Sequence, residues 1–448
     1  MEKELRARGE PLTLDEILPA SIPDDENVAA APIFKELWAD EKKARLSQLK
    51  LPNPSEGRPP ILGDSMTGAR VDLVGWQKLL TGKNDPKTAG ADILATLSKY
   101  DPILQDLDQA LQRPKVLWPM NRDRPFETRI PYLNSTVATS QLLILKSDAA
   151  LSVGKSDLAL LNLKRIYRLN RAVDNGVLIS HLVALIGNNI SLLVVQEGIT
   201  THCWSEMQLV EIQGMLLSED FLFSYKEAHR LERASFNRMI LIVDSNIIYL
   251  LTALGTNETN HTDSKYADFC LKILPKGWRD QDRAFFNQTI QTYYLDPVDP
   301  KLQRVDSLKI QPGEVYISNE FRFWPRLLGY RLLSSLALPS LNGVIRKTAQ
   351  IQTQINLAAV ACGLERYRLA HGKLPDSLQA LVPNYIPQLP HDLITGAALH
   401  YNRVSDQDYI LYSTGWDGKD DGGVFYKKHK EQGDWVWASR PDLYKIKE

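Results

Sequence analysis

Hydrophobic positions recur with a helical period through most of this chain. Between residues 135 and 251, apolar side chains return three and four positions apart, as at Leu158 and Leu161. Gly154 interrupts the series, because glycine is unfavourable in a helix interior. The pattern therefore predicts a series of packed helices in this part of the chain.

Prolines divide the residues before this series into short elements. Helical spacing predicts helices at Ile33–Leu49, Val71–Leu80 and Ala91–Leu111, which proline-rich loops separate. We therefore expect a proline-broken N-terminal helical region over residues 1–134 and an α-helical body over residues 135–340.

After residue 340 one long helix gives way to short alternating segments. The helix is predicted at Gly343–His371, with an apolar face wide enough for burial on more than one side. Gly372 suits the left-handed position that follows a helix. Alternation then predicts strands at Ala398–Val404, Asp408–Ser413, Val424–Lys427 and Trp435–Ser439. The predicted fold class is mostly α, with a small α+β domain over residues 341–448 in which the long helix packs on an antiparallel sheet.

One further segment, Val315–Phe323, is rich in β-branched and aromatic residues. This composition favours a strand. We predict a strand or a surface arm there.

Charge and cysteine content narrow the classes of function. The 53 basic and 54 acidic residues leave a formal net charge of −1, which argues against nucleic-acid binding as the main function. Cys203, Cys270 and Cys362 are far apart and form no CxxC or Cys/His cluster, so a structural zinc site is not expected. Cys362 lies on an apolar helical stripe and is predicted to be a core residue.

The N-terminal segment MEKELRARGE is charged and has no apolar stretch of the kind a signal peptide needs. The most apolar segments, Val177–Thr200 and Met239–Thr256, contain polar residues such as His181 and Asp244, which favours buried core helices. We expect membrane association to depend on an N-terminal anchor of a longer precursor, outside this chain.

An acidic, glycine-rich segment follows the predicted strand pair. Residues 415–423 read GWDGKDDGG and place Asp417, Asp420 and Asp421 within five positions. Carboxylates this close repel one another unless a cation or solvent screens them. Calcium prefers six to eight oxygen ligands, including backbone carbonyls that glycines help to turn inward. A solvated acidic hairpin is the alternative, because Asp-Gly pairs also favour turns.

The order of motifs in this part of the chain resembles the C-terminal part of a type II secretion major pseudopilin. The segment RYRLAHGKLP resembles the end of the long pseudopilin helix, LPHDLITGAALHY its turn into the sheet, and YSTGWDG its metal loop. In this resemblance Asp392 takes the acidic position and Gly396 the turn. A pseudopilin, however, begins with its membrane-spanning helix, whereas here the equivalent helix begins at Gly343, so direct filament assembly is not expected.

The resemblance implies a calcium site with Asp417 and Asp421 as ligands, Asp420 as a weaker candidate, and the backbone carbonyls near Leu411 and Ser413 completing the shell. The whole arrangement, with SIPDDENVAAAPIF at residues 21–34, also resembles uncharacterised bacterial envelope proteins with a helical body. We therefore expect a non-enzymatic protein of the cell envelope or periplasm. Its helical body would bind a protein partner, and its function would relate to secretion or to the cell surface.

No GxSxG, HExxH, Walker or GxGxxG motif occurs. A hydrolase-type enzyme with a site in the helical body is the alternative, and His181, Glu197 and His202 are its first candidate residues. A hydrogen-bonded core histidine is the favoured interpretation of His181. His229 and Glu232, three positions apart, would need metal ligands from other helices, and a solvated charged face is favoured there.

The segment GKSDLALLNLKRIYRLN, residues 154–170, resembles half of a tetratricopeptide repeat. No further copy with a period of about 34 residues accompanies it. An ordinary helical hairpin is the favoured interpretation.

Overall fold

The computed structural model describes residues 1–54, 59–242, 276–323, 331–428 and 431–447. Most of these residues are helical, and a small sheet region lies near the C-terminus, which confirms the mostly α fold class. The end of the predicted helical series, after residue 242, and Cys270 lie outside the described residues.

Fifteen α-helices occur in the described part of the chain. In chain order they are α1 Glu2–Ala7, α2 Leu14–Ile17, α3 Pro32–Ala39, α4 Leu73–Thr81, α5 Ala89–Leu97, α6 Asp101–Ala110, α7 Tyr132–Ser152, α8 Ser156–Val173, α9 Leu178–Thr200, α10 Glu206–Leu217, α11 Phe221–Ile242, α12 Lys276–Thr289, α13 Ser307–Phe323, α14 Leu332–Ala337 and α15 Val344–His371. A π-helical turn, Ile290–Leu295, continues α12.

The predicted helix Ile33–Leu49 is wrong in length, because α3 ends at Ala39. The carboxylate of Asp40 accepts a hydrogen bond from the backbone N–H of Lys42 and so starts a turn. Asp and Asn side chains stabilise turns in this way and compete with helix continuation. A single 3₁₀ turn at Leu46–Gln48 is the only later helical part of this segment.

The helical body forms as its periodicity predicts. Gly154, at a φ of +74°, turns the chain between α7 and α8, and both helices pack against α9. By length and composition α9 is the one described helix that could cross a membrane, with a mean hydropathy of 1.9. It packs among α7, α8, α11 and α15, and 67% of its most apolar window is buried within the fold.

The predicted strand Val315–Phe323 is wrong, because the segment belongs to α13. Its buried side chains, Ile310 and Ile317, are seven positions apart and lie on one helical face. Val315, which suggested a strand, is 59% exposed. Burial on a helical face therefore outweighs the strand preference of these residues.

The long helix α15 is confirmed, and Gly372 follows it with a φ of +72°. Three strands form an antiparallel sheet in the order β3–β4–β6: β3 His400–Arg403, β4 Tyr409–Ser413 and β6 Trp435–Ala438. β5 Val424–Tyr426 pairs in parallel with β7 Lys445–Lys447, which was not predicted. A two-residue hairpin, β1 Val298–Asp299 with β2 Arg304–Val305, precedes α13.

Two hydrophobic clusters meet along α15. The larger cluster joins the buried faces of α7 to α10 with the second half of α15 and with Leu411 and Trp437 of the sheet. The smaller one joins α11, α12 and α13 to the start of α15, and it includes Trp416 and Trp435. Burial of α15 thus connects the helical body to the sheet, and Cys362 is a core residue as predicted. The division into three regions stays a prediction.

Candidate functional site

The acidic segment connects β4 to β5, and Asp392 fixes its start. Asp392 is buried, and one of its carboxylate oxygens accepts hydrogen bonds from the backbone N–H groups of Ile394 and Thr395, at 2.8 and 2.9 Å. The other oxygen accepts from the Ser413 hydroxyl at 2.7 Å and from the backbone and hydroxyl of Thr414, each at 2.9 Å. Burial acts to raise the pKa of Asp392, but these hydrogen bonds together lower it below its usual value. Asp392, which takes the acidic position in the resemblance, is therefore a structural residue that holds the start of the acidic segment in place.

The three predicted carboxylate ligands lie around the turn that follows. Asp417 is half-buried, and one of its oxygens accepts a hydrogen bond from the N–H of Lys419 at 3.2 Å. Asp420 is exposed and caps the N–H of Gly422 at 2.9 Å. Asp421 is exposed, and its side chain has no hydrogen-bond partner among the described residues. Each carboxylate thus retains at least one oxygen that faces no backbone donor.

Leu411 and Ser413 lie in the middle and at the end of β4. The carbonyl of Tyr409 accepts a hydrogen bond from the N–H of Ser439, and alternate residues of a strand share this direction. The carbonyls of Leu411 and Ser413 are therefore directed towards Trp437 and Trp435 of β6. Each keeps a second lone pair.

Asp434 closes the acidic segment and is not among the predicted site residues. Its side chain is fully buried, and its carboxylate accepts hydrogen bonds from the N–H groups of Asp421, Gly423 and Val424, at 3.3, 2.6 and 3.2 Å. Burial raises the pKa of Asp434 and the charge of Asp420 adds to this, although the three hydrogen bonds act against it. The dipeptide Gly433-Asp434 directly before a strand was the available signal.

Gly415 and Gly433 allow the two ends of the acidic segment to approach each other closely. A Cβ built on Gly415, at a φ of +68°, would lie 2.0 Å from the carbonyl oxygen of Gly433. Gly433 has a φ of +81°, and a Cβ there would lie 2.3 Å from the ring of Tyr426. Backbone segments this close admit no side chain.

The oxygen atoms of the acidic segment can be compared with the ligands that calcium prefers. Calcium prefers oxygen ligands, and the unpaired oxygens of Asp417 and Asp421 suit it. Among the described residues, no group of three or more His, Cys, Asp or Glu side chains converges in a way that would hold a metal. Asp417, Asp420 and Asp421 are therefore not gathered around one point in the described structure.

His181, the first candidate of the enzyme hypothesis, lies in a buried hydrogen-bond network. Its Nδ1 is 3.3 Å from both carboxylate oxygens of Asp174 and 3.3 Å from the hydroxyl of Ser224. Its Nε2 is 3.2 Å from the hydroxyl of Thr348, which is fully buried. A catalytic triad needs the nucleophile and the acid on opposite ring nitrogens. Here Ser224 and Asp174 share one nitrogen, so the arrangement is not a triad.

Glu197 and His202 have other partners than His181, whereas His229 contacts the ring of Tyr225, which also faces His181. Glu197 pairs with Arg70, and His202 lies 2.9 Å from a carboxylate oxygen of Glu365. His229 is fully buried, and its Nδ1 is 3.0 Å from the carbonyl oxygen of Tyr225. The expected solvated face at His229 is therefore wrong, because the aromatic rings around it exclude water.

A cavity of about 290 Å³ lies beside the His181 network. Asp174, Ser224 and Glu227 line it on one side, and Trp118 and Tyr132, stacked with their ring centroids 4.1 Å apart, lie on the other. No lysine or arginine is among its lining residues. The cavity thus places the carboxylate of Asp174 and the hydroxyl of Ser224, both contacts of His181, beside open space.

The sequence and the fold were compared with those of known proteins. No protein-family model matches the chain, and no curated protein or solved structure matches it either.

Proposed function

We propose that this protein is a non-enzymatic protein of the bacterial cell envelope whose helical body binds a protein partner. The observation that carries this proposal is an apolar stripe on the outer face of α10. Met207, Val210 and Leu217 are 81%, 47% and 42% exposed, and Gly214 lies between them on the same face. Their spacing of three, four and three residues follows one side of the helix.

The inner face of α10 is also apolar. Leu209, Ile212 and Leu216 are fully buried, and α10 packs there against α15. α10 thus has apolar residues on its outer face as well as its inner face, with exposed Glu206 and Glu211 among them. An exposed apolar stripe on such a helix therefore suits an interface.

The occupant we propose is an amphipathic helix of a partner protein. The stripe has the spacing that packs against a second helix. A Cβ built on Gly214 would meet no atom within 4 Å, so a partner backbone has room to approach at the centre of the stripe.

The test is photo-crosslinking in the native cell, with a photoreactive residue at Val210 and, as control, at the exposed polar position Lys50. We expect an adduct with one identified protein from position 210 only, and its loss when Leu217→Glu is added. An adduct between two copies of this chain, or equal yields from both positions, would contradict the proposal. A thermal melt of each variant separates loss of binding from loss of folding.

We further propose that the tail is a pseudopilin-like module that calcium stabilises. The proposal is supported by the order of elements, in which α15 packs against β6, β3 and β4 form an antiparallel pair, and an acidic glycine-rich segment follows β4. Asp417 and Asp421 would hold the ion, with Asp420 and the carbonyls of Leu411 and Ser413 as further ligands. Calcium would supply positive charge that offsets the repulsion among the carboxylates of this segment.

A hydrolase-type enzyme is the second candidate, and the cavity beside Asp174 and Ser224 is the observation that favours it. An activated serine reacts with a fluorophosphonate, because its hydroxyl is a strong nucleophile. Labelling that Ser224→Ala abolishes would favour the enzyme. Unchanged labelling, or none, would leave His181 as a structural residue.

A further inference from the structure

The edge strand β3 borders a groove of about 840 Å³. The groove lies between the 3₁₀ turn Leu378–Leu381, the segment before β3, and the tip of the β1–β2 hairpin. In the described part of the chain, β3 pairs only with β4. Ala398, just before β3, forms an isolated bridge with His391, and beyond this bridge no described strand pairs with the other edge of β3.

The hydrogen bonds of the β3–β4 ladder show which backbone groups face outward. The N–H of Val404 bonds to the carbonyl of Asp408, and alternate positions of an antiparallel pair repeat this bond. His400 and Asn402 therefore bond to β4, whereas Tyr401 and Arg403 direct their N–H and C=O groups away from it. Unpaired groups of this kind are the template for strand addition.

Apolar side chains supply the floor and rim of the groove. Leu378 and Leu399 are 9% and 7% exposed, and Leu302 at the hairpin tip is 65% exposed. An extended peptide directs alternate side chains to one side. Its apolar residues would meet this floor while its backbone meets β3.

The groove is lined by one arginine and one aspartate, Arg304 and Asp376. Asp376 lines it but is paired with Arg403, whereas Arg304 has no carboxylate partner among the described residues and contacts the carbonyl of Ile394 at 3.3 Å. Arg304 lies directly over Gly396, where an added Cβ would meet its guanidinium at 1.7 Å. The guanidinium is thus held at the groove and remains available to an acidic group.

We propose that this groove binds an extended acidic segment of a protein, which adds as a strand to β3 and pairs a carboxylate with Arg304. The groove shares no residue with the α10 stripe, so the proposal goes beyond the proposed function and does not depend on it. Backbone hydrogen bonds would give the affinity, and Leu378, Leu399 and Arg304 the selectivity.

The probe is a fluorescent hexapeptide of alternating valine and glutamate, titrated by anisotropy into the full chain. We expect binding that protects the amides of Tyr401 and Arg403 from hydrogen exchange. We also expect no binding by a peptide N-methylated at alternate residues, because N-methylation removes the donors that strand addition needs. Arg304→Gln should weaken binding by about fivefold, as an exposed ion pair does.

The matched control is Lys301→Gln, an exposed cation next to the groove but outside its lining, which should leave binding unchanged. The proposal is overturned if the peptide does not bind, or if a valine–lysine peptide binds equally well. Equal affinity of the Arg304→Gln variant, or amide protection elsewhere than at β3, would also overturn it. Crosslinking at Val210 tests the proposed function separately.

Discussion

At several buried ionisable residues, burial shifts the pKa more than any neighbouring charge or hydrogen bond does. Asp148 on α7 is 5% exposed, and its Oδ1 has no hydrogen-bond partner among the described residues. Burial raises the pKa of Asp148 well above its usual value, the charge of Glu197 adds to this, and Arg70 opposes it. His229 is the converse case, because burial lowers its pKa to about 3. Such groups make the stability of the fold depend on pH.

The first prediction concerns Asp148→Asn. The folded chain keeps this proton at pH values where the unfolded chain has lost it, so stability falls as pH rises above 3.8, the ordinary pKa of the group. An amide cannot ionise, and we expect the variant to gain about 2 kcal/mol in unfolding free energy at pH 8. Urea unfolding at pH 5 and pH 8 measures this, with Asp442→Asn as the exposed control. A variant less stable than the parent at both pH values would contradict it.

The second prediction concerns His229→Phe. The unfolded chain gains a proton on this residue below pH 6.5, whereas the folded chain does so only near pH 3, so stability is lost as pH falls between these values. Phenylalanine removes this loss and keeps the ring contact with Tyr294, whose centroid is 5.4 Å away. We expect the difference in unfolding free energy between pH 7 and pH 4.5 to shrink by about 2 kcal/mol. An unchanged difference would show that other groups cause the acid sensitivity.

At the scale of elements, the acidic segment is shaped by one carboxylate at its far end. Asp434 holds three backbone N–H groups of the returning chain, and the start of β6 holds Asp434 in place. Asp420, by contrast, is exposed, caps a single N–H and lies 3.6 Å from the Nδ1 of His400. The two residues therefore form a matched pair for a test.

The third prediction is that Asp434→Asn destabilises the fold by about 2 kcal/mol, because the amide nitrogen opposes backbone donors in a buried site. Asp420→Asn should cost under about 0.5 kcal/mol, as surface changes do. Chemical unfolding measures both, and hydrogen exchange should show faster exchange at Gly423 and Val424 only in the first variant. Equal costs for the two changes would contradict this account of the segment.

The elements show where sequence patterns suffice and where they do not. Periodicity located α7 to α10, and Gly154 and Gly372 marked helix ends, because these signals are local. The strand predicted over α13 failed because Val315 has a strand preference but lies on the solvent side of a helix. The dipeptide Gly433-Asp434 marks a turn before β6, but the hydrogen bonds that give Asp434 its role join it to residues at least ten positions away, which this local signal does not encode.

For the whole molecule, α15 is the element on which both hydrophobic clusters depend. Its first half lies in the cluster that contains Trp416 and Trp435, and its second half in the cluster of α7 to α10. Trp416 directly precedes Asp417, so the acidic segment is anchored in the smaller cluster by its own chain. A change in the order of this segment should therefore be detectable in the unfolding of the full chain.

The last prediction uses this connection to test calcium. If the ion binds Asp417 and Asp421, the full chain should melt at a higher temperature with calcium than with chelator, because a ligand that binds only the folded state stabilises it. Asp417→Ala should then lower the melting temperature by about 2–4 °C in calcium and leave it unchanged in chelator. Asp25→Ala, which changes an exposed acid far from the acidic segment in the sequence, is the control. Equal shifts in both conditions would remove the metal assignment and leave Asp434 as the group that closes the segment.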